Sequence, residues 1–187
     1  MSSAEAKKLF EEGIKSYQEK KFSLAEKKFE EALKHSPDRV SIIENLATVY
    51  FFNNKYSQSE RLLNKLIELG NDTLKIFNLK FKVLEKLGEI KKLKSYIEEN
   101  FHSKKLDQRY IIIKNFLYPN FFEDQSDIDK TKKEFSKSLD DLKSMDDIKL
   151  IIDQDIIDPP VFNLSYDQYE SLELNKKIVN LYRKFYP

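Results

Sequence analysis

Few residues in this chain are of types that do chemistry, and their spacing argues against most of it. There are two histidines, His35 and His102, and no cysteine. A zinc site needs several His or Cys ligands at short spacings. Neither histidine has such a neighbour, so no metal is expected. The aspartates form two clusters, Asp124-x2-Asp127-x-Asp129 and Asp153-x-Asp155-x2-Asp158. Both lack the central glycine and terminal glutamate of an EF-hand loop. Acids in such runs suit helix starts, where they meet the positive end of the helix dipole. A Ser–His–Asp constellation would have to use His35 or His102, and nothing in the sequence assembles one around either. A nucleotide cradle needs glycines at a helix N-terminus, and the last of the three glycines is Gly88. No catalytic residue and no cofactor is therefore expected.

The elements that would position any site are helices. Hydrophobic residues make up 40% of the 187 and charged residues 35%, with only three glycines and five prolines. That is too few turn residues for a fold of many short strands, and it predicts an all-α protein with solvated outer faces. The basic pairs Lys7-Lys8, Lys20-Lys21, Lys91-Lys92 and Lys104-Lys105 alternate with acids, and the net charge is +1. Nothing in this charge pattern seeks nucleic acid or an acidic membrane. No apolar run approaches the roughly 18 residues of a membrane span, and Met1-Ser2-Ser3-Ala4-Glu5-Ala6 is no secretory signal. The expectation is a soluble, cytoplasmic protein.

A 34-residue period organises the first half. Leu9 aligns with Ile43 and Phe77, Gly13 with Ala47 and Phe81, and Phe22 with Tyr56 and Ile90. Ala25 aligns with Ser59 and Leu93, Phe29 with Leu63 and Ile97, and Ala32 with Leu66 and Asn100. Ala25, Phe29 and Ala32 fall on one helical face. Gly13 or Ala47 would let the first helix of a pair approach the second, and Pro37 would stop the second helix. Gly13, Ala25-x3-Phe29, Ala32 and Pro37 together resemble a tetratricopeptide repeat. The first copy departs from that family with Glu12 where a Leu is usual and Ser16 where a Tyr is usual. The second copy keeps Leu46-Ala47-x2-Tyr50 but loosens its second helix. In the third, Phe81 and Asn100 occupy places for small residues, so its packing must differ. The repeats are assigned to residues 4–101, about three helix pairs, in a short helix–turn–helix solenoid.

Residues 102–187 are assigned to a helical extension. A helix is predicted over Leu106–Leu117, with Tyr110-Ile111-Ile112-Ile113 buried and Pro119 stopping it. Another is predicted from a cap at Ser126 or Asp127 to about Leu142, with Ile128, Phe135, Leu139 and Leu142 on one face. A last helix from about Gln168 would bury Leu174, Ile178, Leu181, Tyr182 and Phe185. Leu117-Tyr118-Pro119-Asn120 and Pro160-Val161-Phe162-Asn163-Leu164-Ser165-Tyr166 resemble the junction that precedes the catalytic domain in bacterial tetratricopeptide-linked glycosyltransferases, relatives of the O-linked N-acetylglucosamine transferases. That resemblance implies the front portion of such an enzyme, recruiting a protein substrate. It carries over no catalytic residue, because the two Rossmann-like halves have no counterpart here. A free-standing adaptor unrelated to glycosylation is the alternative.

What remains is a binding surface. In stacked repeats the first helix of each pair lines the concave side. The residues there not assigned to packing are Lys7, Phe10, Ile14 and Tyr17 in the first copy and Glu44, Asn45, Thr48 and Phe52 in the second. Phe10, Ile14 and Phe52 could equally be core. The glycosyltransferase resemblance implies an asparagine ladder along this groove, but Glu11 and Leu79 stand in the places matching Asn45, leaving one rung. The expected partner is a protein or peptide, weakly held, with weak self-association as a further option.

Overall fold

The computed structural model describes residues 3–119, 122–145 and 171–185, and every regular element among them is an α-helix. These are α1 (Ser3–Gln18), α2 (Phe22–His35), α3 (Val40–Phe52), α4 (Tyr56–Glu68), α5 (Leu74–Leu87), α6 (Ile90–Phe101), α7 (Arg109–Phe116), α8 (Gln125–Ser144) and α9 (Ser171–Phe185). They fall into two compact units, Met1–Glu89 and Ile90–Pro187. The division falls between α5 and α6.

In the first unit the 34-residue period is written into the backbone. Lys20, Asn54 and Gly88 all have positive φ, at 58°, 58° and 70°. Each ends a first helix in the same way. The amide of the residue after it donates five residues back: Lys21 to Ser16, Lys55 to Tyr50 and Glu89 to Leu84, at 2.8–3.1 Å. Each positive-φ residue itself donates three back, to Tyr17, Phe51 and Glu85. This is the Schellman motif, which satisfies the last carbonyls of a helix and reverses the chain.

The first helix pair closes on Gly13. A Cβ at that position would lie 2.6 Å from the Phe29 ring, so no larger residue fits without moving it. Ala25, Phe29 and Ala32 are fully buried, as their common face predicts. Both departures from the family pattern are satisfied locally. Glu12 pairs with Lys28 on α2 at 2.8 Å, a hydrogen bond that holds its carboxyl below the ordinary value. The Ser16 hydroxyl donates to the Glu12 carbonyl at 2.8 Å. In the second copy Ser59 replaces the packing alanine. It is fully buried, and its hydroxyl donates to the Ala47 carbonyl at 2.8 Å. A buried hydroxyl without such an acceptor would cost about 1–3 kcal/mol. Ile43, Ala47, Leu63, Leu66, Ile76 and Val83 then form a core shared by α3, α4 and α5.

The second unit is built on α8. Phe135, Leu139 and Leu142 meet Ile112 and Phe116 of α7, Tyr118, and Leu174, Ile178, Leu181 and Phe185 of α9. Three expectations need correction. The seventh helix starts at Arg109, not Leu106, because Asp107 accepts from the Arg109 backbone and side chain at 2.9 Å and opens it there. Of the run Tyr110–Ile113 only Ile112 is fully enclosed, since a helical run cannot turn four successive residues inward. The cap of α8 is Asp124, whose carboxylate accepts from the Asp127 amide at 2.9 Å. The aspartate cluster Asp153–Asp158 and the junction-like Pro160–Tyr166 lie outside the described residues. No described helix is long and apolar enough to cross a membrane.

Replacing Gly13 by Val drives a branched side chain into the Phe29 ring, and overpacking of this kind costs about 1–3 kcal/mol. A lowered thermal midpoint by circular dichroism is expected. Adding Phe29→Leu to the same chain should recover part of it, a coupling that a double-mutant cycle measures. Unchanged melting of Gly13→Val would contradict the helix register.

Candidate binding surface

The face of α1 and α3 on which binding residues were expected is mostly committed to internal contacts. Phe10 is half-buried, with its ring centroid 5.7 Å from that of Phe29 and the Arg39 guanidinium 5.7 Å above it. Ile14 packs on the cluster of Ala25, Phe29, Leu46 and Val49. Both therefore support the first helix pair. The Asn45 amide donates to the Ser41 carbonyl at 2.7 Å, and the Thr48 hydroxyl donates to the Glu44 carbonyl at 2.9 Å. Glu44 pairs with Lys75 of α5, and Lys7 pairs loosely with Glu11 at 3.9 Å. Lys7, Glu44, Asn45, Thr48 and Lys75 leave a polar surface on the first helices, with Lys7 and Lys75 well exposed.

Tyr17 and Phe52 belong to a different place. They come together at the turn end of the unit, their ring centroids 6.0 Å apart. Phe22 completes the group, 5.7 Å from Tyr17 and stacked on Phe52 at 4.8 Å with an interplanar angle of 8°. Phe51 meets Phe52 edge-on, and Tyr56 lies 5.7 Å from Phe51. The two Schellman turns produce this cluster, because each brings the end of a first helix beside the start of a second.

The same helices and turns carry a polar seam that the sequence reading missed. Glu26 is buried on α2 and accepts from Asn53 Nδ2 at 2.7 Å and from Lys55 Nζ at 2.6 Å. One turn further on, Glu30 accepts from the Tyr50 hydroxyl at 2.8 Å. The Glu26 hydrogen bond raises the Lys55 ammonium above the ordinary lysine value. Burial, followed by the bond to Glu30, pushes the Tyr50 phenol well up. A usable signal was present, since Glu26 and Glu30 are spaced to share a helix face. Their partners lie 20 to 29 residues away in turn and helix positions that periodicity does not mark. His35 is the last residue of α2, and His102 follows the end of α6. Among the described residues no group of three or more His, Cys, Asp or Glu could hold a metal ion.

Residues 16–80 match a family model described as the tetratricopeptide repeat. Among solved structures, the chain is similar to the first tetratricopeptide repeat domain of Spaghetti (RPAP3) bound to the HSP90 peptide SRMEEVD. The identity is 17%, the TM-score 0.52, and the match covers 75% of this chain and 97% of that one. It is also similar to YrrB, described as a tetratricopeptide repeat protein with an unusual peptide-binding site. There the identity is 13%, the TM-score 0.52, and the coverage 92% of this chain and 84% of that one. At these identities the likeness is one of fold. No curated protein matches the chain.

Glu26→Gln is expected to lower the melting temperature near neutral pH by removing the Lys55 ion pair. Because the folded pKa of Lys55 is raised, its contribution is complete below the ordinary lysine value of 10.5 and is lost as pH rises through the folded value. The gap between Glu26→Gln and wild type should therefore hold at neutral pH and narrow only above about pH 10.5. Melting curves across that range check it.

Proposed function

We propose that this chain, whose residues 16–80 are tetratricopeptide repeats, is a non-catalytic module that holds a segment of another protein. The carrying observation is the triplicate helix ending at Lys20, Asn54 and Gly88, which sets α1, α3 and α5 in register as a repeated surface. Lys7, Glu44, Asn45 and Thr48 are the polar contacts we assign to that surface. Phe10 and Ile14 act behind it, as packing. The reading is supported by the peptide bound in the Spaghetti structure and by the peptide-binding site attributed to YrrB. A surface of two to three repeats is small, so a weak, transient complex is expected. The cysteine-free composition suits a reducing compartment, and we read the module as cytoplasmic.

The finer reading, the front portion of a protein glycosyltransferase, is supported by the resemblance at Leu117–Asn120 and Pro160–Tyr166. Its test is the reading frame beyond the codon for Pro187. A glycine-rich, two-lobed continuation is expected, and a stop followed by unrelated sequence would leave a free-standing adaptor.

The module itself is tested by selecting a displayed random-peptide library against the full chain. Selected peptides should bind in fluorescence polarisation. For those seated on the first helices, Thr48→Arg should weaken binding about tenfold without changing the melting temperature. Failure to select any peptide would sink the module reading.

A further inference from the structure

The turn end of the first unit exposes more apolar surface than its packing requires. Phe52 is 46% exposed although its ring is stacked on Phe22, and Leu24, two residues into α2, is 45% exposed. Beside them lies an open depression of about 420 Å³, lined by Lys20, Lys21, Phe22, Ser23, Leu24 and Asn53. Phe22 and Leu24 give it apolar lining, and Lys20 and Lys21 give it basic lining. Lys20 is exposed and makes no ion pair among the described residues. Lys21 pairs with Glu19 at 2.7 Å. Lys27, one helical turn beyond Ser23 on α2, is also exposed and makes no ion pair among the described residues. The nearest buried acid, Glu26, is already occupied by Asn53 and Lys55. The rim therefore carries uncompensated positive charge beside a hydrophobic shelf.

We propose that this shelf docks a short peptide segment in which an aromatic or branched apolar side chain is followed by an acidic one. The apolar group lies against Phe22, Leu24 and Phe52, and the carboxylate faces Lys20 with Lys27 behind it. Charge complementarity selects the acidic partner, since a basic segment would meet like charge on the rim. Stacking on a ring pair of this kind supplies area and a modest additional attraction. The shelf lies at the helix ends: Phe52 is one turn beyond Thr48 on α3, whereas Lys7 stands near the opposite end of α1. The inference rests on the reading of the chain as a peptide-holding module.

The test uses the full chain and fluorescein-labelled peptides from the random library, with Leu24→Ser, Lys20→Glu and Lys7→Glu as variants. Leu24 and Lys20 are exposed, so the first two variants should keep the wild-type melting temperature. The expected result is enrichment of apolar–acidic peptides whose affinity drops about tenfold in Leu24→Ser and in Lys20→Glu but not in Lys7→Glu. Their backbone amide resonance shifts should centre on Lys20–Leu24 and Phe52–Asn53. Selected peptides sensitive to Lys7→Glu alone would overturn the shelf and leave the module reading standing. Basic peptides held at the shelf would overturn the partner's chemistry. A concentration-dependent dimer abolished by Leu24→Ser would replace the peptide with a second copy of the chain. A library yielding no binder would overturn both readings.

Discussion

A first helix in this protein has to end in left-handed backbone, and the arrangement of the first unit depends on that. The reversal at Lys20 brings α2 back along α1 at the one point where Gly13 admits the Phe29 ring. The same reversal at Asn54 turns α4 onto α3, where Ser59 bonds the Ala47 carbonyl. Hydrophobic burial stabilises each pair, and a fully enclosed Phe29 contributes about 1.5–3 kcal/mol. Burial is not directional, however. The turn decides which faces meet, and the small residue decides how closely.

The repeats were readable because size and spacing both recur at 34 residues. Gly13, Ala25, Phe29 and Ala32 do in the fold what their types imply. The helical faces of α8 and α9 were readable for the same reason, since their apolar residues recur at helical spacing and little competes with them. Element starts were less clear. Asp124, Ser126 and Asp127 are all good caps, and only the geometry of the preceding chain selects Asp124. The run Tyr110–Ile113 misled because four adjacent apolar residues carry no periodicity.

The binding surface was the least legible part. Residue type alone did not separate Phe10 and Ile14, which pack inward, from Phe52, which is half out. Asn45 and Thr48 look available in sequence, but each hydrogen-bonds to a carbonyl four residues back in its own helix. The Glu26–Asn53–Lys55 seam was invisible because its members meet only after two turns have closed. It fastens the first repeat to the second at the same turns that gather the aromatic rings.

The three helix endings differ in one respect. Gly88 adopts its positive φ at no steric cost, and asparagine tolerates the same region at Asn54. Lysine has neither advantage, and a residue with a Cβ pays roughly 1–2 kcal/mol there. Lys20 therefore sets its ammonium beside the aromatic shelf from a strained backbone position. Glycine in its place would suit the backbone better and leave that edge without its charge. At this residue the backbone preference and the surface charge pull in opposite directions.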